Sequence, residues 1–222
     1  MDQNVILVET VPLEFDLESL GCRLRIRPGK TKFMDRLSRF AEEAVRVARP
    51  KAVARLCGLT ILDEENVQVG EVTFSSPLLR QKMDGLGRAF PYLASEGTEL
   101  ADWSLSLSSS LEQVFASALR EVAVQQAENL LERTLLERYG IAQVSAMNPG
   151  SLKVWSLEEQ VPLFELLAPL PEKLGVTLLP SLMMRPEYSV SGVFFQTDSK
   201  FYNCQLCPKK ECPNRRTPSL VT

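Results

Sequence analysis

Histidine is missing from this chain of 222 residues. Catalysis by a Ser-His or Cys-His pair is therefore excluded unless another base substitutes. A soft metal ion would have to be held mainly by thiols. An excess of positive charge is missing too. The 25 Lys and Arg against 28 Asp and Glu give a formal charge of −3, which argues against a whole-surface nucleic-acid binder. No stretch reaches the ~18 apolar residues of a membrane span, since Glu165 and Glu172 interrupt the longest candidate. The opening MDQNVILVET has acid and amide ahead of its apolar run and no basic segment, so a secretory signal is not expected. Five cysteines, an odd number without secretory context, point to reduced thiols and a cytoplasmic protein. Repeats, low-complexity tracts and linkers are also lacking. With 45% hydrophobic and 24% charged residues, the length suits one globular domain over 1–222.

What is present reads as mixed strands and helices. Residues 4–9, rich in branched apolar side chains, form a first strand, and the alternation of Leu24 and Ile26 suggests a second within 16–26. Arg27-Pro28-Gly29-Lys30 is a turn. Phe33, Leu37, Phe40, Ala41, Ala44 and Ala48 recur at helical spacing, with Thr31 placed to cap the start and Pro50 beyond the end. Strands are expected over 52–62, 67–74 and 90–94. Gly85 and Gly87 lack the third glycine of a nucleotide fingerprint and read as a helix end and a turn. The longest element is a helix from Ser109 to Tyr139, opened by the capping box Ser109-x-x-Glu112 and stopped by Gly140. Glu121, Glu128 and Glu132 on it are expected in solvent. A strand over 141–146 leads into Met147-Asn148-Pro149-Gly150-Ser151. A second capping box, Ser156-x-x-Glu159, precedes a helix in which Pro162 forces either a kink or a later start. The last strands are expected over 175–179 and 189–195.

The most specific chemical signal is Cys204-x2-Cys207-x4-Cys212. Clustered thiolates select zinc, copper(I) or an iron–sulfur cluster, and three ligands leave the fourth place to Cys22, Cys57 or an outside group. A redox-active thiol set and inert thiols are the other readings. Residues 199–216 carry five Lys or Arg against Glu211, either a solvated basic tail or a docking patch for an acidic partner. Phe194, Phe195, Phe201 and Tyr202 suit core packing, or a wall for a flat ligand.

The segments NPGSLKVWSLEEQVPLFELL (148–167) and GVTLLPSLMMRPEYSVSGVFFQTDSKFY (175–202) resemble the reactivation domain of cobalamin-dependent methionine synthase, in its free-standing form. The likeness is strongest over 141–202, while 203–222 is a cysteine-rich and basic extension. It implies an α+β fold, a single domain with a bent, largely antiparallel sheet and packed helices, one of them long. It further implies S-adenosylmethionine binding around Pro149, Gly150, Ser151, Ser191, Gly192 and Phe194. The cobalamin would be carried by a partner methyltransferase, with an electron donor as a second partner. Two places depart from the family pattern: Ala146 stands where the family has an Arg, and Ser151 where it has a Tyr. Those two contacts, with the ligand carboxylate and by stacking, are each worth ~1–3 kcal/mol, so weak or no S-adenosylmethionine binding is expected unless other residues compensate. The function expected is that of an accessory, reactivation-type protein. The alternative is a metal or iron–sulfur protein that delivers electrons through its cysteines.

Overall fold

Branched apolar residues at Val5–Val8 make the first strand, β1. The computed structural model describes residues 3–27, 29–209, 215 and 217–220. The next element departs from the sequence reading, because Leu17–Arg23 is a helix, α1, and not a short strand. Asp16 decides this. Its carboxylate accepts from the amides of Glu18 and Ser19 at 3.0 and 3.2 Å, a cap that the Leu24 and Ile26 alternation masked. Lys30 then donates to the Arg27 carbonyl, with Gly29 at φ 83°, ahead of α2 (Thr31–Val47). Thr31 is already helical and caps nothing.

The expected strand over 52–62 is divided into β2 (Lys51–Arg55) and β3 (Cys57–Ile61). The break falls at Leu56, whose amide donates to the Asn4 carbonyl. The expected strand over 67–74 is a hairpin, β4 (Asn66–Val69) and β5 (Val72–Ser75), turning at Gly70 with φ 60°. Helix α3 (Pro77–Lys82) and a turn through Gly85 lead to β6 (Arg88–Ser95). A helix that sequence reading missed, α4 (Thr98–Leu105), precedes α5 (Ser110–Tyr139). The latter is about 45 Å long at 1.5 Å per residue, and Gly140 ends it at φ 61°. Neither Ser109 nor Ser156 caps with its hydroxyl, so both expected capping boxes are absent. After β7 (Val144–Met147), a 3-10 turn runs into α6 (Gln160–Leu167). Pro162 thus sits in a first turn, where its missing N–H is tolerated. Helix α7 (Leu170–Leu174) and the strands β8 (Thr177–Leu178), β9 (Met184–Arg185) and β10 (Ser189–Gln196) complete the fold.

All strand pairings are antiparallel. β2 and β3 keep one register along β6, from Ala54↔Tyr92 to Cys57↔Ala89. The break at Leu56 lets that long edge serve two neighbours, β1 along β2 and β4 along β3. β10 pairs with β6 and carries β7 in turn. Alternation along β6 and β10 divides the core. Phe90, Tyr92, Ala94 and Phe194 meet Ala127, Leu131 and Leu135 of α5. Leu93, Val193 and Phe195 face Trp155, Leu163 and Leu167 on the other side. The first half of α5 leaves the sheet and packs Phe115, Leu119 and Ala123 against α2 and α4. The result is one α+β domain with helices on both faces of an open sheet.

Candidate functional site

Gly192 sets the geometry where β10 crosses β7. A Cβ at this position would lie 2.4 Å from the Met147 carbonyl oxygen, 2.5 Å from Asn148 Nδ2 and 2.9 Å from Tyr92 Cε1. The missing side chain therefore lets Asn148 reach across the strand. Asn148 Nδ2 donates to Tyr92 Oη and to the Ser191 carbonyl, both at 2.8 Å. Its Oδ1 accepts from Asn203 Nδ2 at 3.0 Å. Tyr92 in turn donates to Glu128 Oε1 at 2.7 Å, and its ring stacks on Phe194 with centroids 3.9 Å apart. One turn further along α5, Glu132 forms an ion pair with Lys200. The Phe201 amide donates to Ser145 Oγ at 2.7 Å, fixing the segment after β10 across this corner.

Two hollows flank Asn148 and Val190, which line both. The first, about 200 Å³, is walled by Glu128, Glu132, Ala146, Phe194, Lys200 and Tyr202. The second, about 290 Å³, is walled by Pro149, Gly150, Ser151, Met183, Glu187 and Ser191. The two hollows meet at Asn148 and Val190 in a shallow groove, and the second is near the lower end of the ~300–1,000 Å³ of small-molecule sites. Of the sequence-derived positions, Pro149, Gly150, Ser151 and Ser191 fall in the second hollow and Phe194 in the first. Gly192 lies beneath Asn148. Gly150 holds φ 76°, and a Cβ there would come within 2.7 Å of Leu157 Cδ1. Ala146 and Ser151, the two departures from the family pattern, both face the groove.

Sequence reading missed the acidic wall. Glu128 was expected in solvent but is only 9% exposed and bonded to Tyr92. Glu132 pairs with Lys200, and Glu121 with Arg23. The available signal was positional, since Glu128 stands among Ala127, Leu131 and Leu135 on the apolar stripe of α5. Tyr92 and Asn148 carried no signal of their own. Behind the second hollow, Arg120 holds Glu96 through two hydrogen bonds of 2.6 and 2.7 Å and stacks 4.5 Å from the Tyr188 ring centroid. Burial pushes the Glu96 carboxyl above its ordinary range, while the Arg120 fork draws it back toward the charged form.

Cys204 reaches the wall of the first hollow, on a 3-10 turn over Asn203–Leu206, and Cys207 follows that turn. Both are half-buried free thiols. Cys212 lies outside the described residues. Among the described residues no three Cys, Asp or Glu side chains gather as a metal site. Cys22 is exposed on α1, and Cys57 sits in the sheet core, where burial raises its thiol to about 11. Cys57 is therefore held as a neutral thiol, far from a ready thiolate ligand. No helix among the described residues is long and apolar enough to cross a membrane.

No protein-family model matches the chain, and no curated protein matches it. Among solved structures, the chain is similar to the MetH reactivation domain bound to AdoHcy, with a TM-score of 0.61 and 16% sequence identity, over 89% of this chain and 80% of that one. The chain thus has the fold of a MetH reactivation domain.

Proposed function

We propose that the chain is an accessory protein of a cobalamin-dependent methyltransferase of the methionine synthase kind, supporting its reactivation or assembly. Its groove between Asn148–Ser151 and Ser189–Gly192 takes a sulfur nucleoside. The observation that carries this reading is the pair of hollows along Asn148 and Val190 on a fold shared with a domain bound to AdoHcy. In this reading the cobalamin belongs to the partner and carries the chemistry, and a separate donor supplies electrons. The chain contributes orientation and exclusion of water. The fit to the amino-acid tail of S-adenosylmethionine is incomplete. Ala146 and Ser151 offer neither a cation nor a ring, and Lys200 is already paired with Glu132.

Titration calorimetry with S-adenosylmethionine and AdoHcy, on the wild type and on the double variant Ala146→Arg, Ser151→Tyr, tests the groove. Weak binding is expected for the wild type. A gain of about a hundredfold is expected for the variant, at ~1.4 kcal/mol per decade. No heat from either protein would mean that the groove binds neither nucleoside.

A second reading has one observation in its favour, the presence of Cys204 at the groove wall and Cys207 three residues on. Thiols there suit an iron–sulfur cluster that passes electrons toward the groove, or a redox-inert zinc ion that holds the segment in place. Metal analysis and absorbance after anaerobic purification decide it. A colourless, metal-free protein with freely alkylated cysteines rejects it.

A further inference from the structure

We propose that the hollow where the end of α1 meets the starts of α2 and α5 docks an acidic amphipathic helix of a partner protein, seating a large apolar side chain between basic arms. From Val114 to Glu128 at the groove, α5 runs about 20 Å at 1.5 Å per residue. The surface is therefore separate from the groove and does not depend on the reading given to it.

The first observation is an apolar face left without a cover. Leu24, Ile26, Phe33, Leu111, Val114 and Phe115 line a hollow of about 230 Å³. Phe115 is buried at its floor, while Phe33 and Val114 are 43% and 53% exposed. The volume falls short of the ~300–1,000 Å³ of small-molecule sites, yet it admits a large side chain. The lining comes from helices and the turn between them, with no strand edge to extend. A partner is then held by side chains, as an amphipathic helix is. These apolar side chains form a concavity, which suits an anchor residue better than a flat bilayer surface.

The second observation is charge. Arg25, Arg27 and Lys30 rim the hollow, and no carboxylate lines it among the described residues. No salt bridge among the described residues engages the three cations. Glu112 and Glu121 on the adjoining part of α5 are already paired with Arg36 and Arg23. Helix α2 begins at this rim with neither a side-chain cap nor an acid in its first turn, so its positive end adds to the same charge. Carbonyls at the end of α1 are met by the amides of Leu24, Arg25 and Ile26 and offset little of it. Arg25 itself stands at φ 55°, a left-handed place after a helix that glycine commonly fills. The patch is local, because the whole chain has a formal charge of −3. Carboxylates on either side of a Leu or Phe anchor match this hollow in charge and shape.

Fluorescence anisotropy with two designed helical peptides tests the proposal. Both carry leucine at i, i+3, i+4 and i+7, and one has glutamate where the other has lysine. The glutamate peptide is expected to bind at least about tenfold more tightly than its lysine twin. That preference should shrink as salt rises. Arg27→Glu combined with Lys30→Glu should abolish it. Both side chains are exposed, so thermal unfolding should stay unchanged. Val114→Ser should weaken the glutamate peptide without altering its salt dependence. Equal binding of the twins, or binding of neither, would overturn the proposal. So would glutamate-peptide binding that survives the double reversal, which would place the acidic contact elsewhere, as on the basic stretch 199–216. Phosphatidylserine vesicles bound through Arg27 and Lys30, with no peptide bound, would overturn it in favour of a lipid surface.

Discussion

At the residue scale, the site depends on one absent side chain. Gly192 is needed because its neighbours already occupy the space of a Cβ, and one of them, the Met147 carbonyl, is backbone that cannot rotate away. Gly192→Ala is expected to lower stability by ~1–3 kcal/mol or more, as overpacking does. It should also displace Asn148 and so loosen the contacts among Tyr92, Asn148 and Asn203. Thermal unfolding, together with the loss of any nucleoside binding by the variant, checks this. An alanine variant as stable as the wild type would mean that the strands shift freely at this crossing. Sequence pattern identified the glycine through the Ser189–Gly192 segment but not its partners. Tyr92 lies in an apolar run that reads as plain core, and Asn148 in a loop whose polar residues have many uses. Only the fold brings them together.

At the element scale, α5 does two jobs. Its first half packs on α2 and α4, and its second half covers the sheet. Its length and its end at Gly140 were legible because helical periodicity persists over many turns. α4 was not, being short and opened by Gly97 at φ 87° without a side-chain cap. α1 is hidden because, in local pattern, the alternation of Leu24 and Ile26 outweighs the Asp16 cap. The Glu96–Arg120 pair ties α5 to the end of β6 and, through Tyr188, to the start of β10. Arg120→Met leaves the Glu96 carboxyl buried without its partner and is expected to destabilise by ~3–5 kcal/mol. The loss should depend on pH with a definite sign. Burial raises the Glu96 carboxyl, and without Arg120 nothing of opposite charge offsets it. The folded variant then binds that proton more tightly than the unfolded chain. Its deficit relative to the wild type should be smallest below the ordinary carboxyl range and grow as pH rises through the raised folded value. Denaturant titrations of both proteins across acid and neutral pH measure this. A deficit independent of pH would assign the loss to packing alone.

At the scale of the whole molecule, the α+β class, the largely antiparallel sheet and the likeness to a reactivation domain were legible in the stretch 141–202. The strand break at Leu56 and the hairpin at Gly70 were not. Each depends on what the far edge of a strand meets, which local sequence does not record. The acidic lining of the groove was equally hidden, because an acid on a helix reads as solvated until the sheet is laid against it. The proposed role of this scaffold is to serve a cobalamin-carrying partner. It is tested by mixing the purified chain with a cobalamin-loaded methyltransferase whose cobalt has been oxidised out of its active state, with and without a reductant and a methyl-sulfonium donor. A stable complex by gel filtration and recovery of methyl transfer that requires the chain are expected. Neither complex nor recovery, at an excess of the chain and under reducing conditions, would contradict it.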